Sequence, residues 1–464
     1  MDHKNPLGEE KVSKLLLRFS IPAIVGMMVN ALYNIVDRIY IGNSPTLGPN
    51  GLAGSTIGFP LMLIMLAIGV LFGVGGATLF AMRLGQKKPK EAENVLGNAF
   101  VLLVASGIVY TILGSIFLVP ILEAFGASPI VLPYAVEYMR IIFFGSTFQI
   151  VSMGLNHFIR GDGNPKVAMM TMFLGAGTNI VLDPLFIYTF NMGMAGAAWA
   201  TIIAQGISAT WVVLYFIGKR SRSKLRVENL KPKLSIVAKI AALGLPGFAL
   251  QLASSVLNTV LNRTLFLYGG DIAVSGMGVI NSVQTFLIMP IIGLNQGVQP
   301  IISFNFGAQK FDRVKTAAKL AIAAATVIVT VGFLITRLIP VILVSLFNRD
   351  PELLTFGSYA ITSWFLCLPV VGFQIIGANF FQAIGRSKTA MFLTLTRQVI
   401  LLIPAVLIFP QLWGMDGLLH AAPFADFLSA ILTGFFFYRG MKDLTKMHEG
   451  RSMEILQEGI LDIS

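Results

Sequence analysis

The chain has 464 residues, of which 55% are hydrophobic and only 12% are charged, and its mean hydropathy is +0.78. Soluble domains carry about 25% charged residues, so this composition indicates a membrane protein rather than a soluble one. The single cysteine, Cys367, excludes an intrachain disulfide and a thiolate metal cluster. The charged start of the chain contains no small-residue cleavage site, so we expect the first helix to stay uncleaved.

Apolar runs long enough to cross a bilayer follow one another along the whole chain. About 20 apolar residues cross a hydrocarbon core of about 30 Å. Twelve runs reach this length, which predicts an all-α integral membrane protein with twelve transmembrane helices. The runs lie at 16–41, 53–82, 95–119, 133–157, 167–190, 194–217, 239–267, 273–304, 317–346, 354–383, 389–410 and 416–438.

Lys and Arg are distributed unevenly among the gaps between these runs. The gaps that follow odd-numbered runs hold one basic residue, Arg349, whereas the other gaps and both tails are basic. The positive-inside rule therefore predicts that both termini lie in the cytoplasm. We expect a multi-pass protein of the cell inner (plasma) membrane. The formal net charge of +12 then faces anionic headgroups of the lipid bilayer, which argues against nucleic acid as a partner.

The second half of the sequence repeats the first. Residues 83–95 align with 305–317, and residues 158–170 align with 380–392 at the same offset of 222. Such repeats are typical of alternating-access transporters, so we predict two six-helix lobes with pseudo-two-fold symmetry. The predicted parts are an N-lobe at 1–217, a cytoplasmic basic linker at 218–238, a C-lobe at 239–440 and a cytoplasmic tail at 441–464.

Four polar residues lie at a similar depth in the outer half of the first lobe. Asp183 and Asn179 are one turn apart in the fifth run, Thr201 is in the sixth, and Asp37 is near the outer end of the first. A carboxylate in lipid costs a few kcal/mol, so it must be protonated, paired or facing a cavity. Two carboxylates, an amide oxygen and a hydroxyl could hold either sodium or protons.

Each of these residues also has a simpler structural explanation. Asp183 could bond to backbone groups that Pro184 leaves free, because proline lacks an amide donor. Asp37 could pair with its neighbour Arg38 at the membrane interface. The amide and the hydroxyl could be ordinary interhelical hydrogen-bond partners.

The second lobe carries different polar residues. Asp37 aligns with Asn262, and no carboxylate near position 405 corresponds to Asp183. Instead, Asp426 and Arg397 lie at about mid-membrane in the last two runs. These two residues could neutralise each other, or they could take part in coupling or substrate binding.

Several motifs resemble those of the MATE (multidrug and toxic compound extrusion) transporter family. They are "IPAIVGMMVNALYNIVDRIYIG" in the first run, "NIVLDPLFI" in the fifth, "GMAGAAWAT" opening the sixth, and the basic loops after the second and eighth runs. The resemblance covers essentially the full length and is closest to the MepA-like group, near the DinF-like branch. It implies a secondary-active multidrug efflux antiporter that exports cationic, amphipathic, drug-like compounds in exchange for H⁺ or Na⁺ by alternating access.

The resemblance also implies roles for individual residues. A bend of the first helix is linked to substrate release in this family, which makes Pro22 a candidate hinge, and Pro22 aligns with Pro246 in the repeat. The family's N-lobe cation-coupling site, with possible Na⁺ binding, matches Asp37, Asn179, Asp183 and Thr201.

Amide, aromatic and methionine side chains within the runs are candidates for a central substrate cavity. They suit apolar cations through cation–π contacts and adaptable packing, although a core or lipid-facing role is open for each. The candidates are Tyr33, Gln149, Met153, Gln284 and Met289.

The runner-up function is a lipid-linked precursor flippase of related fold. Such a protein should place several arginines in its cavity. Apart from Arg18, Arg38, Arg263 and Arg337 towards the ends of runs, only Arg140 and Arg397 lie within the runs, each with a possible acidic partner. A channel or receptor would need a pore filter or a sizeable soluble domain. No nucleotide-binding loop, metal-spaced histidines or nucleophile motif occurs, so we expect no enzyme activity, no cofactor besides the transported ion, and a monomer.

Overall fold

The computed structural model describes residues 6–45, 47–347 and 350–461, and no β-strand occurs among them. A 3₁₀ turn spans Val227–Leu230, and π-helical segments span Leu185–Thr189 and Thr396–Leu402. The α-helices are α1 (Pro6–Glu9), α2 (Val12–Gly42), α3 (Gly48–Gly85), α4 (Pro89–Ile116), α5 (Leu118–Ala124), α6 (Leu132–Gly161), α7 (Pro165–Pro184), α8 (Gly193–Ile217), α9 (Leu234–Gly307), α10 (Phe311–Leu338), α11 (Pro340–Ser345), α12 (Pro351–Trp364), α13 (Leu368–Ala383), α14 (Ser387–Leu395) and α15 (Ile403–Leu461).

All twelve predicted runs lie on helices. Within the described ranges, nine helical stretches are long and apolar enough to cross a membrane, and α12 with α13, bent by 48°, makes a tenth. The helix α9 is broken at Gly270 and supplies two of these nine helical stretches. The stretch Ser387–Gly450 is broken at Gly414 and covers the last two predicted runs. The remaining predicted run, at 133–157, lies on α6. The all-α membrane fold is therefore confirmed.

The predicted internal repeat is visible in the backbone of the loops. Gly163 and Gly385, which occupy equivalent positions of the repeat, have φ angles of 98° and 83°. Lys87 and Gln309, a second equivalent pair, have φ angles of 59° and 56°, a conformation that is uncommon outside glycine. Left-handed residues at matching places therefore follow matching helices in each half.

Packing divides the helices into two compact units. The N-terminal unit contains Pro22–Ala81 and Pro89–Leu252. The C-terminal unit contains residues 6–21, residues 82–88 and the described residues from Ala253 onward. The boundaries that the sequence predicts for the lobes, the linker and the tail stay predictions.

Helices of the N-terminal unit approach one another closely at small residues. In this unit α8 packs against α6 and α7, and α6 packs against α4. A Cβ atom added at Gly73 would lie 2.6 Å from the Cα atom of Gly154, and one added at Gly107 would lie 2.8 Å from the Cα atom of Thr147. Close backbone approach at small residues is the usual way in which membrane helices gain van der Waals contact.

The chain between α8 and α9 is fastened to α4 by polar side chains. Asn98 Oδ1 accepts a hydrogen bond from the Lys233 amide at 2.7 Å, and Asn98 Nδ2 donates to the Asn229 carbonyl at 3.4 Å. Glu93 Oε1 accepts a hydrogen bond from the Lys224 amide at 2.8 Å. The predicted basic linker is thus an ordered part of the N-terminal unit.

A buried aspartate after α6 holds the start of the same linker. Asp162 Oδ2 accepts hydrogen bonds from the Tyr215 hydroxyl at 2.6 Å, the Ser221 hydroxyl at 3.1 Å and the Arg222 amide at 3.0 Å. Burial raises the pKa of Asp162 above its ordinary value, while these donors oppose the rise.

In the C-terminal unit, α10 packs against α13 and α15, and basic residues hold the N-terminal segment against the start of α10. Arg313 Nη2 donates to the carbonyls of Glu10 at 2.6 Å and Leu7 at 3.2 Å. Lys310 Nζ donates to the carbonyl of Gly8 at 2.7 Å. These bonds satisfy carbonyl groups of α1 and of the turn that leads into α2.

Candidate functional site

Three of the four predicted cation-coupling residues are joined by hydrogen bonds between α7 and α8. Asn179 Nδ2 donates one hydrogen bond to Asp183 Oδ1 at 3.1 Å and a second to Thr201 Oγ1 at 3.4 Å. Thr201 Oγ1 donates to the Ala197 carbonyl of its own helix at 3.0 Å. None of the three side-chain positions is more than 5% exposed. The structure thus brings together residues that the sequence placed only at a common depth.

Asp37 of α2 lies beside this group. Its carboxyl group is within hydrogen-bonding reach of the Asp183 carboxyl group. The neighbouring Arg38 extends over the ring of Phe59, with its guanidinium carbon 5.5 Å from the ring centroid. Asp37 and Arg38 therefore have different main contacts, and the aspartate is directed towards the second carboxyl group. We call Asp37, Asn179, Asp183 and Thr201 the polar cluster.

The polar cluster contains oxygen atoms that nothing in the described part of the chain satisfies. Asp37 Oδ1, Asn179 Oδ1 and Asp183 Oδ2 are buried and have no hydrogen-bond partner there. A buried acceptor without a partner costs about 1–3 kcal/mol, so such atoms call for an explanation. Carboxylate, amide and hydroxyl oxygens are ligands for hard cations, and carboxylates also accept protons. The donor set therefore fits sodium or a proton.

The backbone beside the polar cluster is irregular. Pro184 has no amide proton, so the Ile180 carbonyl loses its usual helical donor. The next five residues, Leu185–Thr189, form a π-helical segment that completes the fifth span. Single π-helical turns within a span are frequent at functional sites because they change the direction of side chains without ending the helix.

Two tyrosines extend the polar cluster in a way that the sequence did not indicate. Tyr33, predicted for the substrate cavity, lies near the carboxyl groups of Asp37 and Asp183. Tyr138 of α6 is 3% exposed and lies near Thr201. The only sequence signal for Tyr138 is a polar hydroxyl inside an apolar run, which does not identify its neighbours.

The family of this chain follows from its match to a known family model. The MatE model matches residues 22–185 and 246–407. The chain belongs to the MatE family. The two matched ranges begin at Pro22 and Pro246, so they reproduce the repeat that aligns these two prolines.

Individual MatE proteins are similar to this chain along nearly its whole length. The multidrug export protein MepA of Staphylococcus haemolyticus (strain JCSC1435) is 27% identical over 440 residues, which are 94% of this chain and 96% of that protein. A crystal structure of MATE in the straight conformation is 26% identical, with a TM-score of 0.90 over 96% of this chain and 100% of that one. A crystal structure in the bent conformation is 26% identical, with a TM-score of 0.89 over 94% and 97%. This MatE chain is therefore a multi-pass membrane protein of a transporter family.

The residues predicted for a substrate cavity are divided between the two units of this MatE protein. In the N-terminal unit, the Met153 side chain packs over Gly69 of α3. In the C-terminal unit, Gln284 Oε1 accepts a hydrogen bond from Trp364 Nε1 at 3.3 Å. All five candidates are half-buried, and their role in binding substrate stays a prediction: Tyr33, Gln149, Met153, Gln284 and Met289.

The secondary candidates of the C-terminal unit form an ion pair. Arg397 Nε donates to Asp426 Oδ1 at 2.6 Å, and Asp426 is buried. Arg397 lies in the π-helical segment Thr396–Leu402. By contrast, Arg140 of α6 is exposed, and no ion pair joins it to Glu137 in the ranges that the structure describes. The charge of Arg397 is thus neutralised locally.

The candidate hinge lies inside α2. Pro22 follows the point at which this helix passes from the C-terminal unit into the N-terminal unit, between Ile21 and Pro22. The corresponding passage in α9 follows Leu252, six residues beyond Pro246. The two prolines of the repeat therefore differ in their place relative to the unit boundaries.

Proposed function

We propose that this MatE protein is a secondary-active multidrug efflux antiporter of the inner (plasma) membrane, which exports cationic amphipathic compounds in exchange for H⁺ or Na⁺. The observation that carries the proposal is the polar cluster, with two adjacent carboxyl groups and three buried oxygens that have no partner among the described residues. The similarity to a multidrug export protein supports the class of substrate. The basic gaps between the spans support cytoplasmic termini, and we propose a monomer that uses no cofactor besides the transported ion.

Two adjacent carboxyl groups provide the coupling chemistry. Two like charges at close range in a weakly polar medium are costly, so Asp37 and Asp183 together favour a bound proton or a bound cation. Asn179 directs its amide nitrogen to Asp183 and Thr201, which leaves its oxygen free to face a cation. Loss of the ion on one side of the membrane would restore the repulsion, and the polar cluster would then rearrange.

The rearrangement needs a helix that can change shape, and α2 is the best candidate. Pro22 removes one backbone hydrogen bond from this helix, which also carries Asp37 fifteen residues later. We propose that α2 bends near Pro22 when the ion on Asp37 is exchanged. The occurrence of straight and bent conformations among similar MATE structures supports this proposal.

Transport in proteoliposomes tests the proposed function. The wild-type protein should move ethidium under an imposed pH or sodium gradient, and the effective gradient names the ion. Asp183→Asn should abolish this movement because the pair loses its second titratable carboxyl group. Asp443→Asn is the matched control, since it removes an equal charge from the ion pair with Arg386 outside the polar cluster.

Two outcomes would contradict the proposal. Gradient-driven dye movement that persists in Asp183→Asn would make Asp183 a structural residue and place coupling elsewhere. No dye movement by folded wild-type protein under either gradient would favour the flippase of related fold over the drug antiporter.

A further inference from the structure

A groove of about 770 Å³ lies between the start of α10 and the part of α15 around Tyr438, within the C-terminal unit. Its lining changes character along the helix axes. The lining includes Lys315, Lys319, Gly434, Phe437, Tyr438 and Lys442. Lys442 and Gly434 are eight residues apart on α15, which corresponds to about 12 Å along a helix.

One end of the groove is cationic. Lys315 Nζ is 2.8 Å from Asp312 Oδ1, so this lysine is neutralised. Lys319 and Lys442 are exposed, and no acidic side chain pairs with either of them among the described residues. Two uncompensated positive charges therefore line one groove, at the end of the spans where the basic residues of this chain concentrate.

The other end of the groove is apolar. Gly434 and Phe437 are half-buried and form part of a span, and Tyr438 is 70% exposed. A groove with charged side chains at one end and apolar side chains at the other matches an amphiphile that carries a charged headgroup. Lysines at such a position place their stems along the apolar surface and their ammonium groups near the headgroups.

The corresponding place in the first half of the chain is covered by the chain itself. Gly97, the repeat equivalent of Lys319, lies directly against Asn229 of the linker. Glu93, the repeat equivalent of Lys315, accepts a hydrogen bond from the Lys224 amide of the same linker. The helix α8 ends at Ile217 and the linker turns back over α4, whereas α15 continues as a helix beyond the corresponding position. Among the side chains that the structure describes, the repeat thus has a built-in cover in one half and an open groove with two lysines in the other.

We propose that this open groove binds an anionic phospholipid, with the lipid phosphate at Lys319 and Lys442 and an acyl chain along Gly434 and Phe437. The charge of the lysines selects an anionic headgroup, because charge-assisted contacts to phosphate are stronger than neutral ones. The apolar end selects a lipid rather than a free phosphate. The proposal goes beyond the transport function and does not depend on it.

Direct binding to the purified full chain tests the proposal. Native mass spectrometry counts lipids retained from mixtures of phosphatidylglycerol and phosphatidylcholine, with and without inorganic phosphate as a competitor. The wild-type protein should retain phosphatidylglycerol preferentially. The double variant Lys319→Gln/Lys442→Gln should lose roughly 25-fold in affinity, since each lysine near an anionic lipid contributes about fivefold.

Two further variants separate the groove from general charge. Lys388→Gln/Lys446→Gln removes the same charge from exposed lysines of the C-terminal unit that do not line the groove, and it should bind like the wild type. Gly434→Leu should weaken lipid binding by filling the apolar end. A Cβ atom at Gly434 would meet only Phe373 atoms at 3.8 and 3.9 Å, so the helix can accept a side chain there.

Three results would overturn the proposal. The first is that the wild type binds phosphatidylglycerol and phosphatidylcholine equally. The second is that the two lysine double variants lose equal amounts of lipid affinity. The third is that inorganic phosphate competes with the lipid while Gly434→Leu binds it as the wild type does. The last result would identify a soluble phosphate as the ligand.

Discussion

The fifth and sixth spans of the N-terminal unit differ sharply from their repeats in the C-terminal unit. Asp183 and Thr201 are buried and joined through Asn179, whereas Ala405 and Ala422, one repeat later, are buried apolar residues. The same helical scaffold therefore packs without the polar cluster. Because the polar cluster is not needed to build the fold, its burial cost is better explained by a function.

The contacts of the linker after α8 show a second difference between the halves. Asp162 fastens the linker after α6, and the residue one repeat later is Ile384, which is buried and apolar. The first half thus uses a buried carboxylate to hold a covering segment, and among the described residues the aligned position of the second half has neither that carboxylate nor such a segment. Substitutions at paired positions can test each difference.

The largest expected effect concerns the carboxyl pair. Asp37→Asn should reduce gradient-driven dye transport to background, because one neutral amide next to Asp183 removes the electrostatic repulsion that drives ion exchange. Asn262→Asp, the reverse change one repeat later, should leave transport unchanged. The measurement is ethidium flux in proteoliposomes, and equal effects of the two substitutions would remove the distinction between the halves.

A smaller effect on transport is expected at the aligned prolines. Pro22→Ala should slow transport without abolishing it, because α2 gains a backbone hydrogen bond and resists bending. Pro246→Ala should have less effect, since it lies away from the unit boundary in α9. The measurement is the initial rate of dye flux in each variant. Slower flux in Pro246→Ala than in Pro22→Ala would assign the hinge to Pro246 instead.

The ion pair of Arg397 and Asp426 in the C-terminal unit should contribute to stability rather than to transport. Asp426→Ala should lower the free energy of unfolding by about 3–5 kcal/mol, because it leaves the largely buried Arg397 charge without its partner. The double variant Asp426→Leu/Arg397→Met should recover most of that loss and keep dye transport. Thermal unfolding measures the first effect, and loss of transport by a stable double variant would show a coupling role for the pair.

Substitution of Gly97, which lies against the linker, should cause a moderate loss of stability. Gly97→Ala should cost about 1–3 kcal/mol, because its methyl group meets the backbone of Asn229 and the linker must move. Lys319→Ala, one repeat later, should stay within about 0.5 kcal/mol because its side chain is exposed. Unfolding in detergent compares the two, and equal losses would argue against the covering role of the linker.

The smallest effect is the pH dependence of the Asp162 contact. Burial raises the pKa of Asp162 in the folded state above its ordinary value of 3.8. The stability that this proton supplies is complete below pH 3.8 and is lost as the pH rises through the raised pKa. The wild type should therefore lose stability relative to Asp162→Asn as the pH rises from 3.8 through the raised pKa, which thermal unfolding at a series of pH values measures. A constant difference would mean that the hydrogen-bond donors offset the burial completely.

Depth in the membrane could be predicted from the sequence, because each helical residue advances about 1.5 Å. Counting along the runs placed Asp37, Asp183 and Thr201 at one level, and the structure has them in one group. Rotation about each helix axis could not be predicted in the same way. Tyr138 therefore stayed unidentified, and the sequence left open whether Asp426 and Arg397 meet each other.

The sequence by itself determined the helices, the repeat and the family of this MatE protein. Apolar length, charge placement and the constant offset between the two halves are properties of the linear chain, and they need no knowledge of packing. Only the tertiary structure decided which oxygens of the polar cluster lack partners, how the linker covers α4, and where the groove beside α15 stays open. Those features depend on which helix faces another, which is set by side-chain packing between segments far apart in the chain.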